Sequence, residues 1–111
     1  MDWSLRRDGD RLIGSPSGRV DEESWRAFSG HLNVAVREAV DANLPLVIDL
    51  SGLEFMTSKG LRALTMAKTE ARGVITITLA SPNETMSRIL SISRYNMLFP
   101  VVDDLDQAGR G

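Results

Sequence analysis

Between residues 22 and 43 the apolar positions recur three and four apart. Trp25, Phe28, Leu32, Ala35, Val36 and Ala39 fall on one side of a helical projection, with Arg26, Asn33, Arg37 and Asp41 away from it. That spacing predicts an amphipathic helix from Glu22 to about Asn43, laid on a sheet. Ahead of it, Trp3 to Arg7 and Arg11 to Ser15 read as short strands, and the Asp8-Gly9 pair between them is a hairpin-turn signal, so the two should be antiparallel. Leu44 to Leu50, with β-branched Val47 and Ile48, and Val74 to Ala80 are short apolar runs separated by a helical stretch. Together they predict a parallel β-α-β unit with a right-handed crossover. Ser81-Pro82 supplies an N-cap and a first-turn proline for a helix reaching about Ile92, and Phe99 to Val102 reads as a last strand before a short tail. The expected class is α/β: a small mixed sheet with an N-terminal antiparallel hairpin and parallel β-α-β units, helices packed on the sheet, and residues 1–111 forming one domain.

Two helix starts follow one rule. With Asp21 as N-cap, Val20 and Trp25 make a hydrophobic staple; with Thr57 as N-cap, Met56 and Leu61 make the equivalent pair. Thr57 then accounts for the cap, which leaves the Ser58 hydroxyl unneeded for folding and free to face solvent at the positive end of the helix dipole. Gly60 costs about 1 kcal/mol of helix propensity relative to Ala, so something is expected to pass close to the backbone there. Projected at about 100° per residue, Leu61, Leu64, Ala67 and Ala71 of this helix point inward while Lys59, Arg62, Met66 and Thr69 lie outside.

Composition removes whole classes of function. There is no Cys among the 111 residues, which excludes disulfides, thiolate nucleophiles and Cys-ligated zinc and fits a reducing, cytoplasmic setting. The opening MDWSLRRDGD lacks the continuous apolar run of a secretory signal, and no later run is long enough to span a bilayer, so neither export nor membrane insertion is expected. Thirteen basic and fifteen acidic residues are spread along the chain, for a formal net charge of -2, without the basic footprint of a nucleic-acid binder. No Ser-His-Asp arrangement, phosphate-cradling glycine loop or metal-ligand spacing is present, so no catalytic residue, metal or cofactor is assigned and the chain reads as no enzyme. His31, the single histidine, sits at the margin of the first helix's apolar face as a structural residue. Asp49, at a strand end, would suit a receiver-type phosphoacceptor only with an acidic pair near the first strand; Asp8 and Asp10 belong to the hairpin turn, so Asp49 is read as a loop-stabilising acceptor.

The segment Val47-Ile48-Asp49-Leu50-Ser51, followed by Phe55-Met56-Thr57-Ser58-Lys59-Gly60-Leu61-Arg62, resembles the core signature of STAS domains, specifically of bacterial anti-sigma factor antagonists. Gly18-Arg19-Val20-Asp21 is similar to that family's turn before the first helix, and Phe99 to Asp104 to its last strand, so the resemblance covers nearly the whole chain. It implies a partner-switching phosphoprotein of transcription regulation. Ser58 would be phosphorylated by an anti-sigma factor serine kinase and restored by a serine phosphatase, and the unphosphorylated form would bind the kinase and free its client. Asp21, Thr57, Ser58, Lys59, Gly60, Arg62 and Met66 would form the partner-binding surface of a monomer. Position 57, often Asp or Ser in the family, is Thr here; position 59 is Lys, a cation beside Ser58; and Ser93-Arg94 stands where relatives have Ser-Gly. The same domain type also serves as a non-switching interaction subunit of transport or lipid-transfer complexes, in which Ser58 would be a contact. A small phosphotransfer or nucleotide-hydrolysing enzyme is a third reading and predicts turnover by the isolated chain.

Overall fold

The expected hairpin forms one residue later than the Asp8-Gly9 reading: Asp8 pairs with Arg11, the two-residue turn is Gly9-Asp10, and Gly9 takes the left-handed φ of +63°. In the computed structural model, which describes residues 1–109, the hairpin joins β1 (Asp2–Asp8) to β2 (Arg11–Val20), and Trp3 lies opposite Pro16 in antiparallel register. Strand β2 runs past its expected end at Ser15 and serves three neighbours. Its first half pairs in parallel with β3 (Leu46–Asp49), and its last residues, from Gly18 on, pair in parallel with β4 (Leu53–Met56), with a register shift inside that second pairing between Gly18 and Arg19. Beyond β3 come β5 (Ile77–Ala80) and β6 (Val101–Val102), both parallel, giving the order β1-β2-β3-β5-β6 with β4 alongside the end of β2.

Strand β4 has no counterpart in the sequence reading. Four residues carry too little alternation to signal a strand, and only the length of β2 gives them a partner. Other boundaries differ as well. Strand β5 starts at Ile77, with Val74 exposed on the preceding turn. The last strand contracts to Val101–Val102, Phe99 being buried ahead of it. Ser81 adopts a left-handed φ of 57°, so it cannot cap a helix; α3 (Glu84–Ile92) is capped by Asn83, whose side chain accepts from the Met86 N–H at 2.7 Å.

Helices α1 (Trp25–Ala42), α2 (Ser58–Ala71) and α3 bury their apolar stripes on one face of the sheet. Phe28, Leu32 and Val36 of α1 meet Leu46, Ile48, Leu53 and Leu79 of the strands and Leu64, Met86 and Leu90 of the other helices, all at 1% exposure or less. Each such side chain contributes roughly 1.5–3 kcal/mol through burial. The Trp3 ring meets Phe28 edge-on at 6.4 Å and stacks on His31 at 5.4 Å, which gives the lone histidine a packing role. Arg94 takes the left-handed φ of 64° that a glycine would hold at the Ser93-Arg94 turn, so the replacement keeps a glycine-like turn at the cost of some backbone strain. Among the described residues no helix is long and apolar enough to cross a membrane.

The opposite face of the sheet is closed by the chain's own last turns. Ile13, Val47 and Ala80 pack there against Ala108, with Leu105 and Val102 partly buried beside them. Arg11, 1% exposed, holds this cover in place: its Nη1 donates to the carbonyls of Leu105 and Ala108, both at 2.6 Å, while Nη2 pairs with Asp8 at 2.8 Å. Removing the guanidinium would take a donor from the buried Ala108 carbonyl and leave the Leu105 carbonyl with the Ala108 N–H alone, and bonds to a charged donor contribute about 1.5–3 kcal/mol each. Arg11→Met should therefore lower stability by about 2–4 kcal/mol in urea unfolding and accelerate amide exchange between Leu105 and Ala108 more than in the helices. Unchanged exchange there would mean that apolar packing alone holds the tail.

Candidate functional site

The proposed site lies at the carboxyl edge of the parallel strands, where the turn before α1 and the start of α2 come side by side. Val20 pairs with Met56, and the Thr57 N–H donates to the Val20 carbonyl at 2.9 Å, which fixes the point where β4 gives way to α2. Ser58 is the first residue of the helix and is exposed. Gly60 is buried. A Cβ there would stand 2.8 Å from Val20 Cγ1 and 3.0 Å from Met56 Cβ, so the close approach expected from the sequence is intramolecular and the residue offers no side-chain surface to a partner.

Thr57 occupies the N-cap position with extended backbone, φ -83° and ψ 177°, yet its side chain makes no capping bond. Its Oγ1 is buried and, among the described residues, has no hydrogen-bond partner. The expectation of a side-chain cap is corrected here: the first turn of α2 is held through the Thr57 carbonyl, which accepts from Gly60 and Leu61 at 3.0 and 3.2 Å. The two adjacent hydroxyls are thus sorted by position, one shut in and one open to solvent.

Asp21 is not the N-cap expected from the sequence, a position that Ser24 holds; it organises the turn leading into α1 instead. The helix begins at Trp25, and Asp21 Oδ1 accepts from the N–H groups of Glu23 at 3.0 Å and Ser24 at 3.2 Å. Ser24 Oγ in return accepts from the Asp21 N–H at 3.0 Å, a reciprocal arrangement that the Asp21-x-x-Ser24 spacing could have signalled. The Glu23 N–H holds the Asp21 carboxyl below its ordinary value of 3.8; the Ser24 hydroxyl and N–H and the Arg19 charge add to this against partial desolvation.

Lys59, though exposed, reaches toward the start of α1. Its Nζ lies 3.4 Å from Glu22 Oε2 and 5.1 Å from the centroid of the Trp25 ring, tying the two helix starts together. Neither partner was legible as a site residue. Asn83 was missed as well: besides capping α3, its Nδ2 donates to the Leu53 carbonyl at 3.0 Å and so fastens α3 to β4. Arg62 and Met66 are exposed on α2 as its periodicity requires, Met66 at 49%. With Asn33, Thr65, Thr69, Glu70 and Arg72 they line an open groove of about 650 Å³ between α1 and α2. Asp49 accepts from the Ser51 N–H at 3.0 Å, the loop-stabilising part read from the sequence. Among the described residues no group of acidic or histidine side chains could hold a metal ion.

Because the Thr57 hydroxyl is buried without a partner, Thr57→Val should leave stability unchanged or raise it by up to about 1 kcal/mol, whereas loss of a true cap would cost about that much. Thermal unfolding of the two proteins decides between these. For Asp21 the lowered carboxyl pKa means that its stabilisation is fully present above 3.8 and is lost as pH falls through the lower folded-state value. In acid titrations of stability Asp21→Asn should accordingly lose less stability than the parent on passing below pH 3.8. Parallel acid-unfolding curves would assign the acid dependence to other carboxylates.

Solved structures with the same fold include a STAS-domain anti-sigma-factor antagonist protein from Planctomyces limnophilus, 17% identical, with a TM-score of 0.86 over 97% of this chain and 95% of that one. An anti-sigma factor antagonist from Mycobacterium paratuberculosis is 25% identical, with a TM-score of 0.80 over 96% of this chain and 89% of that one. The Bacillus cell fate determinant SpoIIAA in its phosphorylated form is 17% identical, with a TM-score of 0.64 over 90% of each chain. No curated protein matches the sequence at a significant level. The family model described as "Mlab, STAS domain" matches residues 4–101, and on that match, spanning the sheet and all three helices, the chain belongs to this family of STAS domains.

Proposed function

We propose that the protein is an anti-sigma factor antagonist that works by partner switching in the cytoplasm, with Ser58 as the phosphoacceptor. The observation that carries this reading is the sorting of the two hydroxyls: Ser58 is exposed at the first position of α2, and the neighbouring Thr57 hydroxyl is buried. A kinase can reach the first and not the second. The fold is shared with SpoIIAA, solved in both unphosphorylated and phosphorylated forms, which supports a phosphorylation switch on a domain of this shape.

In this scheme an anti-sigma factor serine kinase binds the unmodified surface around Ser58, with Asp21, Thr57, Lys59, Arg62 and Met66 at or near the contact, and releases its client. ATP and Mg2+ belong to the kinase. The Ser58 oxygen bonds to the γ-phosphorus, the bond to ADP breaks, and the hydroxyl proton passes to a base on the kinase. Free N–H groups and the dipole at the helix start accept the new charge of about -1.5 to -2, so the fold survives. The contact surface does not, because burying a dianion without partners costs several kcal/mol and each 1.4 kcal/mol is about tenfold in affinity. A serine phosphatase resets the switch by hydrolysis.

One observation favours a second reading: the matching family model is described by Mlab and not by an anti-sigma factor antagonist. The chain would then be a non-switching interaction subunit of a transport or lipid-transfer complex, with Ser58 as a contact. Incubation with a candidate serine kinase and ATP, followed by mass spectrometry and affinity measurement, separates the two. Under partner switching, the parent gains one phosphate on Ser58, Ser58→Ala gains none and still binds the kinase, and Ser58→Asp folds normally but binds about tenfold or more weakly. Phosphate on no residue, or equal binding by Ser58→Asp, favours the non-switching subunit.

A further inference from the structure

The ion pair at the start of α2 gives the proposed switch a second moving part. Lys59 is the residue directly after Ser58, and in the unmodified protein its ammonium is shared between Glu22, at 3.4 Å, and the face of Trp25, at 5.1 Å. Both contacts are weak. The lysine side chain is 45% exposed and that of Glu22 is 72% exposed, so water screens the pair. A phosphate on Ser58 would carry up to two negative charges against the single charge of Glu22, at the adjacent residue of the same helical turn. A flexible four-carbon stem lets the ammonium follow the larger charge.

We propose that phosphorylation of Ser58 captures Lys59 from Glu22 and Trp25, so that the modification changes the start of α1 as well as the start of α2. This rests on the reading of Ser58 as phosphoacceptor. The capture leaves Glu22 unpaired and uncovers one face of Trp25, while Arg26, at 5.2 Å from the same ring, stays on α1. The surface presented to a partner therefore changes on two elements at once. Aspartate at position 58 carries only the charge that Glu22 already has, so Ser58→Asp should leave Lys59 largely in place and reproduce the switch incompletely. Other charged residues on the elements that meet at the helix start are Arg19 on β2, Asp21 and Glu23 on the turn before α1, Glu54 on β4, and Arg62 one turn along α2. Arg62 is the rival counter-ion.

The test uses the full chain with phosphoserine installed at position 58 by genetic code expansion, so that no kinase is needed and the exchange can fail without bearing on whether a kinase uses Ser58. The second pKa of the phosphate, read by phosphorus NMR, should be higher in Lys59→Gln than in the parent by about half a unit or more, and lower than the parent in Glu22→Gln, where the competitor is gone. The Trp25 indole signal should shift on phosphorylation in the parent and stay fixed in Lys59→Gln and in Ser58→Asp. Equal phosphate pKa values in the parent and Lys59→Gln overturn the proposal. So does a Trp25 shift that persists without Lys59, or a pKa that rises only in Arg62→Gln. Amide spectra of each variant verify that these surface substitutions leave the fold intact.

Discussion

The first turn of α2 lies so close to the sheet that residue 60 has no room for a Cβ, and much of the site follows from that approach. Val20 Cγ1 and the Met56 side chain fill the space a side chain would need. Val20 ends β2 and Met56 ends β4, so the contact seats the helix on the junction of both strands. A helix lifted by even one methyl group would carry Thr57 out of its buried position and separate Lys59 from the start of α1. Close packing of this kind transmits small displacements because protein interiors contain few voids to absorb them.

Strand β2 makes the junction available. Its ten residues outlast its pairing with β3, and from Gly18 onward the remaining length pairs with β4. One strand thereby spans from the hairpin to the junction beneath the start of α2. Arg19 packs over Phe55 at 5.9 Å on the face of the sheet away from the helices, a cross-strand contact that only this pairing allows.

The layout of helices and central strands was legible because their patterns are strong. The inward positions of α1 and α2, from Phe28 to Ala39 and from Leu61 to Ala71, are buried as their spacing requires. What escaped was decided by tertiary context. Strand β4 is too short to announce itself. The cap of α3 fell to Asn83 because Ser81 is drawn into a left-handed turn, which no local preference anticipates. Thr57 has the right residue type for a cap, and its backbone has a cap's extended shape, but burial directs the hydroxyl away from the helix. Of the site, the outer face of α2 could be read from periodicity and the exposed hydroxyl from its place at the helix start, whereas the tie from Lys59 to Glu22 and Trp25 needs two elements folded together.

The bond from Arg11 to the Ala108 carbonyl spans 97 positions of sequence. Contacts this distant form slowly and depend on nearly the whole chain being present. As the protein emerges from the ribosome, the helix-bearing face of the sheet can collapse while the face carrying Ile13, Val47 and Ala80 still waits for its cover. That face is a strip of β-branched and small apolar side chains, the surface on which strands of neighbouring nascent chains adhere. The turns from Leu105 to Ala108 therefore shield that face of the sheet, and a chain cut short before Leu105 would present Ile13, Val47 and Ala80 uncovered.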